Sequence, residues 1–300
     1  MVFGIIFLKN NCRNFLKYSI VVLKGDKLME RIEPYKGISV IYDEIRPSYP
    51  EKLIEDVISN THLKLSDRLL EIGAGTGKAT IQFAEKGYKI HAIELGQDMA
   101  EILKNKCINY PEVSVDVGPF EEWTCSNNQQ YDMIYSAQAF HWLDTNIKYK
   151  NCDELLKDNG YLVLFWYKPC DDELPVTKEI EEKVEHIIEK YTSFYSPKKG
   201  TPERRVHFGV SEEDERKAEI EASGLFELVK KIEYTGETRN NSQQYLKIRK
   251  SVPAFASILD GLEHKTIKNM DKEIEELIND YGGYVSTIFN YSLYICKKLS

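Results

Sequence analysis

Apolar and polar positions follow two patterns along the chain, short apolar runs and longer stretches with helical spacing. The apolar runs predict strands at residues 68–72, 88–93, 113–117, 131–136 and 160–166. The helical spacing predicts helices at 50–58, 78–86, 98–106 and 146–156. Because strands and helices alternate, this part of the chain predicts a mostly parallel α/β sheet with helices on both faces.

The pattern changes after Trp166. Ile180, Val184 and Ile188 mark the apolar face of a predicted helix at 175–191, and an irregular stretch follows. Beyond it the spacing predicts strands at 224–235 and 284–297 and helices at 242–259 and 270–280. These patterns predict a weakly packed N-terminal extension at 1–28, a core at 29–170, a cap insertion at 171–223, and the remainder of the cap with the last two strands at 224–300.

A glycine-rich loop, Glu71-Ile-Gly-Ala-Gly-Thr-Gly77, lies between the first predicted strand and a helix. Glycines let the backbone turn sharply and let a ligand approach where a Cβ would block it. Glu94 ends the next strand, 17 positions after Gly77, where a carboxylate can accept both hydroxyls of a ribose. Loop and acid together predict a site for a nucleoside cofactor.

The spacing also bears on which nucleoside binds. A dinucleotide loop would place its third glycine or alanine at position 78, which is a lysine. Glu71 would repel a pyrophosphate and attract an ammonium or sulfonium group. These features favour S-adenosylmethionine over NAD. A glycine turn without a ligand is the structural alternative.

Five segments carry a resemblance to a known family. They are residues 42–50 (Tyr-Asp-Glu-Ile-Arg-Pro-Ser-Tyr-Pro), 71–77, 93–95 with Met99, 118–123 (Gly-Pro-Phe-Glu-Glu-Trp) and 136–142 (Ser-Ala-Gln-Ala-Phe-His-Trp). From about Tyr35 onward the chain resembles the class I S-adenosylmethionine-dependent methyltransferases, in particular the small-molecule branch with ubiquinone/menaquinone-type and trans-aconitate-type enzymes. The resemblance implies a Rossmann-like seven-stranded sheet of order 3-2-1-4-5-7-6, with the last strand antiparallel and a small helical cap.

The resemblance also implies a cofactor site. Its expected residues are Tyr42, Arg46, Glu71, Gly73, Ala74, Gly75, Gly77, Glu94, Leu95, Met99, Phe120, Glu121, Ala137 and Gln138. Arg46 would form a fork with the cofactor carboxylate, and a surface ion pair with Asp43 or Glu44 is the alternative. Pro119 stands where the family often has an acid that binds adenine, so this contact falls to Phe120 or Glu121.

His141 is the candidate general base, because an imidazole titrates near neutrality. A packed, hydrogen-bonded histidine is the alternative role. The candidate walls of an acceptor pocket are Tyr35, Phe140, Trp142, Trp166, Tyr167, Tyr195 and Phe208. Each of these aromatic residues could equally belong to the core. Arg204 or Arg205 would bind an acidic substrate.

The charge and the cysteines limit the classes of function. The net charge of −8 and an isoelectric point near 5.5 argue against nucleic-acid binding. The six cysteines show no Cys-x-x-Cys spacing, which predicts neither a metal site nor disulfides and favours reduced thiols in the cytoplasm. No stretch approaches the roughly 18 apolar residues of a membrane span.

These observations predict an S-adenosylmethionine-dependent methyltransferase that produces S-adenosylhomocysteine and methylates an O, N or C atom of a small molecule. We expect a monomer or homodimer. An NAD-dependent oxidoreductase and a cofactor-binding protein that acts as a sensor or partner subunit are the alternatives. Nucleic-acid methylation is disfavoured, because the chain has no Asn/Asp-Pro-Pro-aromatic sequence for a flipped base.

Overall fold

The computed structural model describes residues 39–125, 129–170, 174–192, 213–251, 255 and 258–299. Within them the strands form one mixed sheet of seven strands, in the order β3-β2-β1-β4-β5-β7-β6. The strands are β1 Arg68–Ile72, β2 Lys89–Glu94, β3 Val113–Val117, β4 Tyr131–Ala137, β5 Leu156–Pro169, β6 Phe226–Asn241 and β7 Tyr284–Lys298. The predicted fold class and strand order are confirmed.

The helices are α1 Ser39–Ile45, α2 Glu51–Thr61, α3 Lys78–Ala84, α4 Gln97–Lys106, α5 Lys148–Leu155, α6 Pro175–Thr192, α7 Glu213–Ala222, α8 Ser242–Lys250 and α9 His264–Asp280. Neither α1 nor α7 was among the predicted helices, and α8 is shorter than the predicted 242–259. Single turns of 3-10 helix cover 107–109, 120–122 and 140–142. None of the described helices is both long enough and apolar enough to cross a bilayer.

Five strands of the sheet, β1 to β5, pair in parallel, so their carboxyl ends lie at the same edge. β1 lies between β2 and β4, with Ile72 beside Ile93 and Glu71 beside Tyr135. Residues 69–72 of β1 are all buried, so both faces of the sheet are covered at this strand. In such a sheet the loops that follow the strands meet at one edge, where ligands bind.

β6 and β7 run antiparallel, as predicted. Ser292 donates a hydrogen bond to Glu233 at 3.0 Å, and Thr235 donates one to Asn290 at 3.5 Å. Residue numbers therefore rise along one strand as they fall along the other. β6 ends at a capping box, in which the Asn241 side chain accepts from the Gln244 amide and the Gln244 side chain accepts from the Asn241 amide.

The described residues form two compact units. The sheet unit takes its residues from 33–168, 209–235 and 290–300, and the helical unit takes its residues from 169–208 and 236–289. α6, α8 and α9 of the helical unit share an apolar cluster that includes Val184, Tyr245 and Ile274. α7 belongs to the sheet unit, because Ile220 packs in its core. The predicted cap insertion, 171–223, therefore includes a helix of the sheet unit, and the predicted extension at 1–28 lies outside the described residues.

Candidate functional site

Hydrogen bonds from its own amide groups to protein oxygens fix the glycine-rich loop between β1 and α3. The N–H groups of Gly73 and Ala74 both donate to the carbonyl of Ile93, at 2.8 and 3.1 Å. The Gly77 N–H donates to the Ala74 carbonyl at 3.0 Å, and the Gly75 N–H donates to Oε2 of Glu94 at 2.6 Å. Four amides of the loop are therefore already satisfied by the protein.

Two positions of the loop require glycine. Gly73 has φ +69°, and a Cβ there would lie 2.3 Å from the Cβ of Ala139. Gly77 has φ +87°, and a Cβ there would lie 2.4 Å from Cδ1 of Leu103 on α4. Positive φ disfavours other residues at both positions, and at residue 73 the Cβ of Ala139 also leaves no room for a methyl group. The absence of a Cβ at residue 73 lets the loop approach the segment that follows β4.

Glu71 is a buried acid at the base of the loop, with 1% of its surface exposed. Its Oε2 accepts hydrogen bonds from the hydroxyls of Thr80, at 2.5 Å, and Tyr135, at 2.8 Å. Burial raises the pKa of Glu71 to about 8, and the charge of Glu94 acts in the same direction, while the two hydroxyl groups oppose the rise. Glu71 is therefore mostly protonated at neutral pH, and a bound cation would favour its ionised form.

Glu94 lies at the end of β2 and is 8% exposed. Its second oxygen, Oε1, accepts from the Gly96 N–H at 2.8 Å. Burial raises the pKa of Glu94, whereas the bonds from Gly96, Gly75 and Leu95 oppose the rise. A carboxylate offers about four acceptor positions, and the bonds from Gly75, Gly96 and Leu95 use three of them, so the two hydroxyls of a ribose would share the remaining one.

A pocket opens between the loop and the segment that contains α1. Seven of the predicted cofactor residues line it, namely Tyr42, Arg46, Glu71, Gly73, Ala74, Gly75 and Ala137. The other lining residues are Pro47, Tyr49, Thr76, Lys78, Ala79 and Tyr167. The structure thus brings a carboxyl group, a guanidinium group and three phenol rings to one cavity.

Tyr49 is a lining residue that the sequence analysis did not select, because it directly precedes the predicted helix at 50–58. It is buried, and its ring packs edge-on against Phe165 with 4.7 Å between the centroids. Tyr167, which we expected in an acceptor pocket, lies 5.9 Å from the Tyr49 ring. The only signal for Tyr49 is its place in the segment 42–50, which carries the family resemblance.

The remaining predicted cofactor residues do not line this pocket, namely Gly77, Glu94, Leu95, Met99, Phe120, Glu121 and Gln138. Met99 is buried, and its sulfur would lie 3.9 Å from a Cβ on Gly75. Phe120 is buried in the core of the sheet unit, and Glu121 accepts from the Asp144 amide at 3.3 Å. Leu95 directly follows Glu94, and its amide helps to stabilise that carboxylate.

Gln138 joins the ends of β4 and β5. Its backbone has φ +59°, its N–H donates to the Phe165 carbonyl at 3.1 Å, and its side chain donates to the Tyr167 carbonyl at 2.7 Å. The Gln138 side-chain nitrogen is therefore already used to position Tyr167, so we expect it to shape the pocket.

His141 is packed between aromatic rings. Its Nδ1 accepts from the indole N–H of Trp166 at 3.2 Å, which leaves the proton of the neutral ring on Nε2. Burial, with smaller contributions from the charges of Arg216 and Lys148, lowers the pKa of His141 to about 3. A group with this pKa is a weak base, so these contacts favour the packing role over general base catalysis.

Two of the predicted aromatic walls lie in the core. Phe140 is 1% exposed and packs against Tyr149, while Trp166 is 4% exposed and lies under the guanidinium of Arg216, 3.6 Å from the ring centroid. Trp142 is 47% exposed. The other candidates, Tyr35, Tyr195, Phe208, Arg204 and Arg205, lie outside the described residues.

Within the described part of the chain, no three His, Cys, Asp or Glu side chains group as metal ligands would. The five cysteines in that part, at 107, 125, 152, 170 and 296, are free thiols.

Comparisons with known proteins bear on the family and the fold of this chain. A family model for a methyltransferase domain matches residues 69–160, which run from β1 into β5. Residues 69–160 therefore correspond to a methyltransferase domain. The glycine loop, Glu71, Glu94 and Ala137 all lie inside this methyltransferase domain, whereas Tyr42 and Arg46 precede it.

Curated relatives of the methyltransferase domain occur in fungi and bacteria. An uncharacterized methyltransferase from Schizosaccharomyces pombe is 30% identical over 155 residues, which cover 50% of this chain and 56% of the relative. One from Mycobacterium tuberculosis is 30% identical over 141 residues, which cover 47% of this chain and 54% of the relative. The chain therefore spans just over half the length of these relatives.

A solved structure shows the same fold. The "Putative Type II Methyltransferase" from Anaeromyxobacter dehalogenans has a TM-score of 0.56 and 16% identity, covering 83% of this chain and 97% of that one. At this identity the likeness establishes the fold alone.

His141 gives a prediction that needs no ligand. The lowered pKa means that the unfolded chain binds a proton more readily than the folded protein below about pH 6.5. Stability should therefore fall as the pH drops from 6.5 to 5, by about 1–2 kcal/mol for this one group. His141→Asn keeps an acceptor for Trp166 and should lose that part of the acid sensitivity. Denaturant unfolding of both proteins at pH 7 and pH 5 measures the difference, and an equal loss in both would contradict the burial of a neutral imidazole.

Proposed function

We propose that this protein is an S-adenosylmethionine-dependent methyltransferase that acts on a small organic acceptor. The observation that carries the proposal is the pocket in which Glu71 and Arg46 face one cavity beside a glycine loop whose amides are already bonded. Such a pocket suits an amino-acid zwitterion without a phosphate. S-adenosylmethionine ends in that group, and it supplies the activated methyl group for an in-line displacement.

The state of the loop amides favours this cofactor over NAD. Dinucleotide loops bind a pyrophosphate through amides at the loop and the helix N-terminus. Here Gly73, Ala74, Gly75 and Gly77 donate to protein oxygens instead. A pyrophosphate would also meet the carboxyl group of Glu71, which would be repulsive in its ionised form.

The protein's part in the reaction is to bind and orient both substrates. In this proposal Arg46 binds the cofactor carboxylate, Glu71 accepts from its ammonium group, and Glu94 accepts from the ribose hydroxyls. Holding donor and acceptor in line supplies much of the rate acceleration of such a displacement. Because His141 is a weak base here, we expect an acceptor that needs no proton transfer to an imidazole.

Calorimetric titration of the folded protein with S-adenosylmethionine, S-adenosylhomocysteine and NADH tests the proposal. Micromolar binding of the first two ligands and no binding of NADH is the expected result. Binding of NADH alone would support the oxidoreductase, and no binding of any of the three would refute the proposed cofactor. Conversion of S-adenosylmethionine to S-adenosylhomocysteine in the presence of a metabolite extract would exclude a non-catalytic sensor.

A further prediction concerns the proton on Glu71. Because its pKa is about 8 without ligand, a bound ammonium should lower that pKa and expel the proton at pH 7. Affinity should therefore rise as the pH increases towards 8. The stability of the ligand-free protein should change in the opposite sense and fall over the range from about pH 4.5 to 8, because the folded form holds the proton more tightly.

Calorimetry in two buffers with different protonation enthalpies measures the released proton. Glu71→Gln is the matched control, because an amide keeps an acceptor for Thr80 and Tyr135 but cannot ionise. Protons from the ligand's own amino group are common to both proteins, so the difference reports Glu71. Equal proton release by both proteins would show that Glu71 does not face the ammonium group.

A further inference from the structure

Asp43 connects three elements of the sheet unit. It lies on α1, and its Oδ1 accepts from the Thr76 hydroxyl of the glycine loop at 2.7 Å and from Nζ of Lys106 on α4. Nζ of Lys78, at the start of α3, lies 3.8 Å from the same oxygen. None of the sequence patterns selected this residue, except as an alternative partner of Arg46.

The neighbours of Asp43 line the proposed cofactor pocket, whereas Asp43 itself does not. Tyr42 and Arg46 are lining residues, the Arg46 N–H donates to the Tyr42 carbonyl at 3.0 Å, and the guanidinium carbon lies 5.1 Å from the Tyr42 ring centroid. α1 has seven residues, which is too short for a helix to hold its shape without tertiary contacts. The position of Tyr42 and Arg46 therefore depends on what fixes α1.

The charges around Asp43 allow it to fix the position of α1. Burial opposes its ionisation, but the bonds from Lys106 and Thr76 and the charges of Lys106 and Lys78 outweigh this effect and lower the pKa of Asp43. The Asp43 side chain is 21% exposed and that of Lys106 is 31% exposed, so the pair is partly shielded from solvent. Partly buried pairs are screened by salt less than exposed ones.

We propose that Asp43 is a positioning residue, which holds Tyr42 and Arg46 over the cofactor pocket by tying α1 to Thr76 and Lys106. The inference rests on the proposed function, from which it takes S-adenosylmethionine as the ligand. Lys106 lies at the end of α4 and does not line the pocket. The proposal therefore predicts that Lys106 affects ligand binding through Asp43 and α1.

The test is a double-mutant cycle on S-adenosylmethionine affinity. We expect Asp43→Ala to raise the Kd about tenfold, since it removes charge-assisted hydrogen bonds, and Lys106→Met to raise it about threefold, as for a partly exposed ion pair. The double variant should have the same Kd for S-adenosylmethionine as Asp43→Ala alone. Lys104→Met, which changes an exposed lysine of the same helix, is the control and should bind as the wild type does.

Amide hydrogen exchange gives a readout without ligand. In the free protein, Asp43→Ala and Lys106→Met should speed exchange of the Arg46 amide, while Lys104→Met should leave it unchanged. If the wild type binds no S-adenosylmethionine, the proposed function fails, but this measurement still decides the role of Asp43. Unchanged exchange in both variants, or additive effects in the cycle, would overturn the proposal.

Discussion

Replacing Gly73 by alanine is expected to lower the free energy of unfolding by about 2–4 kcal/mol, from the cost of a positive φ and from overpacking. The new Cβ would lie 2.3 Å from the Cβ of Ala139, and φ at residue 73 is +69°. The loop and the segment after β4 would have to separate, and Gly73 and Ala137 both line the pocket. Binding of S-adenosylmethionine should therefore be lost together with stability. Denaturant unfolding and calorimetric titration measure the two losses.

Two control variants separate the cost of the positive φ from the cost of the contact with Ala139. Gly75→Ala has a similar backbone angle, φ +57°, but its Cβ would lie 3.9 Å from the nearest atom, so it should cost only the backbone term, about 1–2 kcal/mol. Adding Ala139→Gly to Gly73→Ala removes the contact and should recover the difference. If Gly73→Ala and Gly75→Ala were equally stable, the close approach of the loop to Ala139 would be wrong.

Glu94→Ala is expected to weaken S-adenosylmethionine binding by about 100-fold, because hydrogen bonds to a charged carboxylate contribute about 1.5–3 kcal/mol each. The proposed bonds to the ribose hydroxyls would be absent. The bonds from the Gly75 and Gly96 amides would be lost as well, which loosens the loop on its β2 side. Titration of the variant, with circular dichroism to confirm folding, measures the effect.

Binding of adenosine, a fragment of the cofactor, tests whether Glu94 contacts the ribose. Adenosine carries the ribose but not the amino-acid group, so Glu94→Ala should weaken its binding, while Glu71→Gln should leave it unchanged. Glu101→Ala is the matched control, because this exposed glutamate of α4 accepts from the Gln97 side chain at 3.0 Å and does not line the pocket. A folded Glu94→Ala protein that binds adenosine as tightly as the wild type would refute the ribose contact.

The strands could be predicted from the sequence because each one corresponds to a short run of apolar residues. Residues 68–72 and 113–117 were assigned to strands with the bounds that the structure has, and the order of all seven strands follows from the family resemblance. α1 and α7 were missed for a physical reason. A helix of seven residues has too few turns to show a repeating apolar face, and α7 is only weakly amphipathic.

Within the candidate site, the sequence identified residues that act through the backbone or at strand ends. The glycine loop, Glu71 and Ala137 lie together as expected. The sequence pattern does not identify contacts between residues far apart in the chain. The hydrogen bond between Asp43 and Lys106, which are 63 positions apart, is an example. Lys148 shows the same limit, because its charge suggests the surface, yet it is 2% exposed and pairs with Glu219.

The strand order has a consequence for how this chain is made. β7 separates β5 from β6 in the sheet, yet it is translated after both, and Tyr284 follows Pro169 by 115 positions. On the ribosome, β6 therefore emerges without its neighbour, and the edge of β5 that β7 will cover stays open until β7 follows. Unpaired edges of this kind are where nascent chains aggregate and where chaperones act. Completion of the sheet must wait for the last of its strands to leave the exit tunnel, although the glycine loop and its pocket are translated much earlier.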